Sequence, residues 1–179
     1  MNGPAPVTRP RPVALAHATP EHLDQIAALW HAAWADGHLG HVPEELLPHR
    51  TPAAFRRRAA DRLGSMTIAV DEHAAGTRVV GFHVVHGDEV EQLYVSADWR
   101  GTGVAAALLT SAENAIAVEY TTAWLAVAPG NARARRFYER CGWRDAGAFD
   151  NPAETDDGVL LVPTRRYEKQ VRGGQERTE

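Results

Sequence analysis

A chain of 179 residues with a formal charge of −4 and a pI near 6.1 fits one domain that buries about two-thirds of its unfolded surface, and it presents no basic field for nucleic acid. Its single cysteine, Cys141, rules out an internal disulfide and belongs to no metal-ligand pair, so no metal site is expected. No apolar run is long enough to span a bilayer and residues 1–12 lack the apolar core of a signal peptide, which points to a soluble, cytoplasmic protein without membrane or nucleic-acid partners.

Pro4, Pro6, Pro10 and Pro12 deny residues 1–12 both helix and sheet hydrogen bonding, so this stretch reads as a disordered lead to a single domain over residues 13–171. Residues 13–17 suit a short strand. Thr19 and Pro20 form an N-cap and a first helical position, and Leu23, Ile26, Ala27, Trp30 and Trp34 then recur at three and four residues on one apolar face. Residues 36–50 read as a loop. Its His38, Gly40, His41 and His49 are either solvated or line an acceptor pocket, and their spacing does not suit zinc. Thr51 and Pro52 restart a helix that Gly64 ends, with Arg56, Arg57 and Arg58 read as a solvated face.

Residues 65–71 and 77–86 are strands rich in Val and Ile, joined by a turn at 72–76, and Gly87-Asp88 marks a hairpin into a third strand that ends at Val95. A loop holding Arg100, Gly101 and Gly103 passes directly into an alanine- and leucine-rich helix. Residues 121–128 form another strand, Pro129-Gly130-Asn131 breaks it, and a helix from 132 to 141 ends at Gly142. Residues 143–149, a loop through Asn151-Pro152, and residues 158–167 make a final hairpin before a polar tail at 172–179. The order β-α-α-β-β-β-α-β-α-β-β predicts an α/β domain: a mixed, mostly antiparallel central sheet flanked by helices.

Strand, glycine loop and helix together aim backbone N–H groups at one anion, because glycine lets the main chain approach and the helix N-terminus adds partial positive charge. A phosphate-bearing ligand is expected. Lys169 is the lone lysine among 19 Lys and Arg residues, so no G-x-x-x-x-G-K motif exists. Gly101-x-Gly103-x-x-Ala106 formally matches a dinucleotide fingerprint, yet residues 96–100 separate the strand from Gly101 and the next strand ends in Ala128-Pro129 with no acid. A turn without any ligand is the plain structural alternative.

Arg100-x-x-Gly103-x-Ala105, followed by Asn131-Ala132-Arg133-Ala134-Arg135-Arg136-Phe137-Tyr138-Glu139-Arg140-Cys141-Gly142-Trp143, resembles the GNAT superfamily of acyl-CoA-dependent N-acetyltransferases over roughly residues 90–143. The resemblance implies acetyl-CoA as cosubstrate, a small-molecule or peptide amine as acceptor, direct attack without a covalent enzyme intermediate, and a monomer or homodimer. It further implies that Leu93 and Val95, with Tyr94 between them, align the pantetheine arm and thioester. Backbone N–H groups from Arg100, Gly101, Thr102, Gly103, Val104 and Ala105 would hold the pyrophosphate, Asn131 would contact the cofactor arm, and Tyr138 would protonate the departing sulfur. Read from the residues alone, Asn131 is a helix N-cap and Tyr138 belongs to an apolar stripe with Ala134, Phe137 and Cys141.

An amine of pKa about 10.4 is only about 0.1 % neutral near pH 7.4, so deprotonating it in place addresses about 4 kcal/mol of barrier. Glu89 and Glu91 share a strand face with Leu93 and Val95 by period two, and Glu91, nearer the thioester, is the preferred base. A water relay or His38 are alternatives. Some family members carry a glutamate in the following strand, where this chain has Ala126. Cys141 reads as a packed thiol, not a nucleophile. Glu154, Asp156 and Asp157 point to a cationic acceptor, and a noncatalytic acyl-CoA sensor module is the competing reading from another class.

Overall fold

A computed structural model describes residues 12–71 and 76–172. The expected N-terminal lead apart from Pro12, the turn at 72–75 and the tail beyond Arg172 lie outside the described residues. The elements are β1 (Val13–His17), α1 (Leu23–His38), α2 (Pro52–Asp61), β2 (Met66–Asp71), β3 (Val79–His86), β4 (Glu89–Val95), α3 (Val104–Ile116), β5 (Thr122–Val127), α4 (Ala132–Arg140), β6 (Arg144–Thr155) and β7 (Gly158–Gln170). They build a seven-stranded sheet in the order β1-β2-β3-β4-β5-β7-β6. Its neighbouring strands pair antiparallel except β4 and β5, which are parallel. Both the element order and the mixed sheet agree with the sequence reading.

Helices cover both faces. The apolar stripe of α1 buries Ile26, Trp30 and Trp34 with Phe55 of α2 against Ile68 and Phe82 of the sheet. The Trp30 ring sits 5.5 Å from Phe55 and 5.3 Å from Phe82, tilted and edge-on, which suits the quadrupoles of aromatic rings. On the other face Leu109 and Ile116 of α3 pack with Leu125, Trp143 and Tyr167. Thr51 caps α2 by accepting the Ala54 N–H at 3.2 Å, and Pro52 fills its first turn, where the N–H it lacks has no partner to lose.

Three local expectations are corrected. First, α1 runs on to His38 and a short 3-10 helix spans Glu44–His49, both inside the stretch read as loop; buried Gly37 and Leu46 anchor them. Second, Asn151 and Pro152 lie within β6, and the turn falls at 156–157. Proline is tolerated because β6 is the edge strand, where one side of the backbone needs no partner.

Third, β4 carries a bulge. Val84 faces Gln92 while Val85 faces Val90, which leaves Glu91 as the extra residue. A bulge breaks period two, so Glu89 and Glu91 do not share a face with Leu93 and Val95. Leu93 and Val95 pack toward α3, whereas Tyr94 packs toward α1 and lines the same cavity as Glu89, Glu91 and Gln92.

The sheet opens at its centre. β4 and β5 register only at Glu89 and Trp124, where the Trp124 N–H donates to Asp88 O at 3.0 Å, and the strands then part. At the far side, β7 pairs with β5 only through residues 165–170, so the remainder of the β6–β7 hairpin extends as a two-stranded ribbon. Its tip is tied back to the α2 side by Arg57 to Asp156 at 2.7 Å, Arg62 to Glu154 at 3.1 Å, and Arg50 to Glu154 O at 2.8 Å.

Candidate active site

The parting of β4 and β5 leaves two cavities that meet at His38 and Tyr94, which line both. The smaller, about 240 Å³, gathers Leu93, Tyr94, Val95, Arg100, Gly101, Ala105, Asn131 and Tyr138. The larger, about 790 Å³, is lined by Glu89, Glu91, Trp124 and Ala126 on the sheet, by Arg50, Arg58 and Arg62, and by the β6–β7 ribbon. Of the residues expected at the cofactor, Thr102, Gly103 and Val104 stand beside the smaller cavity in the loop and helix start without lining it.

The glycine loop has the local geometry an anion cradle needs. Gly101 and Gly103 hold φ of 75° and 93°, a region other residues enter only with strain. The first main-chain bond at the start of α3 runs from the Ala107 N–H to Gly103 O at 3.0 Å. Among the described residues the amides of 101–105 therefore have no main-chain acceptor, and they sit at the positive end of a helix dipole. Thr102 closes the loop from within, its buried hydroxyl donating to Trp99 O at 2.6 Å. The Val104 side chain is buried in the core. Arg100 donates to Asp36 at 2.6 Å and ties the loop to the end of α1; this pairing holds the Asp36 carboxyl below its usual range.

Asn131 caps α4 by accepting the Ala134 N–H at 3.0 Å while also lining the smaller cavity, so both readings of this residue hold together. Gly37 packs closely beside it: a Cβ there would stand 3.0 Å from Asn131 Nδ2, so the amide would have to shift by a few tenths of an ångström. Tyr138 likewise belongs to both the core and the cavity. Its ring packs 5.2 Å from Phe137 and 6.1 Å from Trp143, and burial pushes its phenol well above the ordinary value. It is thus a protonated hydroxyl at all physiological pH.

The two carboxylates of β4 differ sharply. Glu91 accepts from Arg62 Nε at 2.7 Å. Glu89 forms no ion pair among the described residues; burial, then the charges of Glu91 and Asp88, raise it to about 7. His38 stacks on Trp34 at 5.0 Å and 6°, and its Nδ1–H donates to Trp34 O at 3.0 Å. Burial lowers it to about 4, so it is a neutral, weakly basic ring. Burial pushes the Cys141 thiol up, and the backbone N–H of Cys141 closes the end of α4, in keeping with a packed thiol.

Within the acidic run, Glu154 lines the larger cavity. Glu154 pairs with Arg62, and Asp156 with Arg57 and His49, so two of the three carboxylates read as facing a cationic acceptor are already met by cations of this chain. Conversely, sequence reading missed Arg58 and Arg62, which enter the larger cavity. Ala54, Phe55 and Ala59 are buried on α2, and helical period puts residues 58 and 62 on that same face. This spacing was the available signal, masked by the run of three arginines.

Among the described residues there is no cluster of three metal-ligating side chains, and no helix is long and apolar enough to cross a membrane. The model of the acetyltransferase (GNAT) family matches residues 23–143. Comparison with curated protein sequences returns no match. Among solved structures, the chain is similar to a GCN5-related N-acetyltransferase from Rhodopseudomonas palustris, at 22% identity and TM-score 0.65, over 94% of this chain and 99% of that one. It is also similar to a phosphinothricin acetyltransferase from Sinorhizobium meliloti in complex with AcCoA, at 18% identity and TM-score 0.66, over 91% and 90%. A third is the ribosomal-protein-S18-alanine N-acetyltransferase of Escherichia coli, at 18% identity and TM-score 0.62, over 93% and 99%.

Proposed function

The chain belongs to the acetyltransferase (GNAT) family, and from that premise we propose that it moves the acetyl group of acetyl-CoA onto the primary amine of a small molecule or peptide by direct attack. The observation that carries this reading is the meeting of the two cavities at Tyr94 and His38, in the opening between β4 and β5. A cosubstrate in the smaller cavity presents its thioester to an amine in the larger one.

The smaller cavity fits the cosubstrate because its unpartnered amides at 101–105 suit the pyrophosphate and the free edge of β4 at Leu93, Tyr94 and Val95 suits the amide-bearing arm. Asn131 contacts that arm. Bound there, acetyl-CoA supplies an activated acyl group. Glu89 takes a proton from the amine, directly or through water, as the nitrogen attacks the carbonyl carbon. The C–N bond forms, the C–S bond breaks, and Tyr138 gives its proton to the departing sulfur. Glu89 is preferred to Glu91 as the base because Glu91 is already engaged by Arg62, while a carboxylate near 7 matches the working pH. A cytoplasmic setting accords with a free cysteine and a CoA-linked substrate.

Coenzyme A thiol release, followed over a panel of polyamines, aminoglycosides, amino acids and peptide N-termini, tests the reading. Release that depends on a particular amine is expected. Tight acetyl-CoA binding with no release across the panel would replace the enzyme with an acyl-CoA sensor.

A further inference from the structure

Two guanidinium groups in the larger cavity lack a carboxylate of their own. Arg58 has a side chain 15% exposed; its Nε has no hydrogen-bond partner, and the nearest acid, Glu154, lies 3.9 Å away. That carboxylate is already held by Arg62 through both oxygens at 3.1 Å. Arg50, 7% exposed, donates to the carbonyls of Glu154 at 2.8 Å and His49 at 3.4 Å, and its Nε is also without a partner. Each lies over an aromatic face, Arg58 at 5.1 Å from Trp30 and Arg50 at 5.8 Å from Trp34. Stacking of this kind fixes the plane of the fork and strips its water.

Burial pushes both groups down, Arg50 to about 10, so both stay charged at neutral pH. A buried charge without a counter-ion is costly unless something completes it. Glu154 and Glu91 act on Arg58, and Glu154 and Asp156 on Arg50, but each of these acids already bonds Arg62 or Arg57, and Asp61 and Asp150 are exposed. A planar fork with free donors suits an oxyanion, which it binds through two parallel bonds.

We propose that the acceptor is a primary amine that carries an oxyanion, as an amino acid does, with the oxyanion held by Arg58 and Arg50 and the amine directed toward the thioester. This rests on the acetyltransferase reading and narrows its substrate class. It also reverses the charge that the acidic hairpin tip implied, because Glu154 and Asp156 of that tip are engaged in tying the ribbon to Arg62 and Arg57.

The test compares kcat/KM for amino acids against their methyl esters, which keep the amine and lose the charge. The free acids are expected to be preferred at least roughly tenfold, the scale of a charge-assisted hydrogen bond. An aminophosphonate run beside its carboxylate analogue tells which oxyanion fits better, and preference for either over the ester supports the inference. Arg58→Met should collapse the ratio toward one by raising KM for the acid, and Arg58→Lys should restore part of it. Should Arg58→Met fail to fold, Arg50→Met serves in its place. Equal use of acid and ester by the native chain, or an unchanged ratio in a folded variant, overturns the proposal. Calorimetric binding of an N-acetyl amino acid to the CoA-loaded protein, with its ester as control, reads the oxyanion site without turnover. If no amine releases thiol, acetyl transfer fails while this binding still decides the oxyanion site: selective binding of the acid sustains it, and equal binding ends it.

Discussion

Glu91 accepts a 2.7 Å hydrogen bond from Arg62 Nε, a partner that Glu89, two residues earlier, does not share. A carboxylate oxygen that already accepts from a guanidinium is not free to meet an incoming amine. Glu89, half-buried and close to the charges of Glu91 and Asp88, is raised to about 7. Glu89→Gln should therefore lower kcat/KM by about 10²–10⁴-fold, the usual worth of a positioned base. It should also remove an activity limb that, in the native enzyme, rises with pH through about 7 as Glu89 ionises. The stability effect has the opposite sign. Because the folded value is raised above the unfolded one, Glu89 favours the fold fully below its ordinary value of 4.5 and progressively loses that contribution as pH rises through about 7. Melting temperatures of native and Glu89→Gln protein between pH 5 and 8 should converge at low pH and diverge in favour of the variant at high pH.

Gly103 holds φ 93° with no atom within 4 Å of where a Cβ would stand. Its requirement is conformational, so the damage from substitution falls on the loop and not on core packing. Gly103→Val forces a β-branched residue into the left-handed region, at a cost of about 1–3 kcal/mol, or moves the loop amides out of line. Acetyl-CoA affinity by calorimetry should fall at least roughly tenfold for a distortion of that size. Native-like affinity would remove the phosphate role from the loop.

Tyr138→Phe deletes one hydroxyl and keeps the ring that packs on Phe137 and Trp143. Turnover should fall by about 10²-fold, the low end for a lost proton donor, while acetyl-CoA affinity stays near the native value. Equal losses in both would make Tyr138 a binding residue only, and native turnover would remove the acid role.

What was legible in the sequence follows from how local each signal is. The glycine loop, its helix and the Asn131 cap are set by neighbours a few residues away, and they stand where the sequence puts them. The partner of Glu91 is not local: its bulge depends on how β4 registers against β3, and Arg62 arrives from α2. The same holds for Pro152, whose place in a strand rests on β6 being an edge. Arg58 lay between these cases, since its helical phase was readable but its destination depended on a ribbon folding back over α2.

Lys169 gives the fold a final, separable prediction. Its ammonium donates to both oxygens of Glu113, at 2.9 and 2.8 Å, and to Cys141 O at 2.8 Å, while Glu113 also accepts from Trp143 Nε1 at 2.8 Å. One cation thus joins β7, α3 and the end of α4. With side chains 27% and 15% exposed, the pair is sheltered enough for its loss to matter. Lys169→Met strands a carboxylate beside the Trp143 ring and should destabilise the fold by about 2–4 kcal/mol, seen as a lower urea midpoint with an unchanged slope. Glu113→Gln keeps the indole contact and removes the charge, so it should cost less than Lys169→Met. The double variant should then be more stable than the sum of the two single losses, because the stranded carboxylate is absent from it. Strict additivity would mean that the two side chains do not support each other, and that Lys169 acts through the Cys141 carbonyl alone.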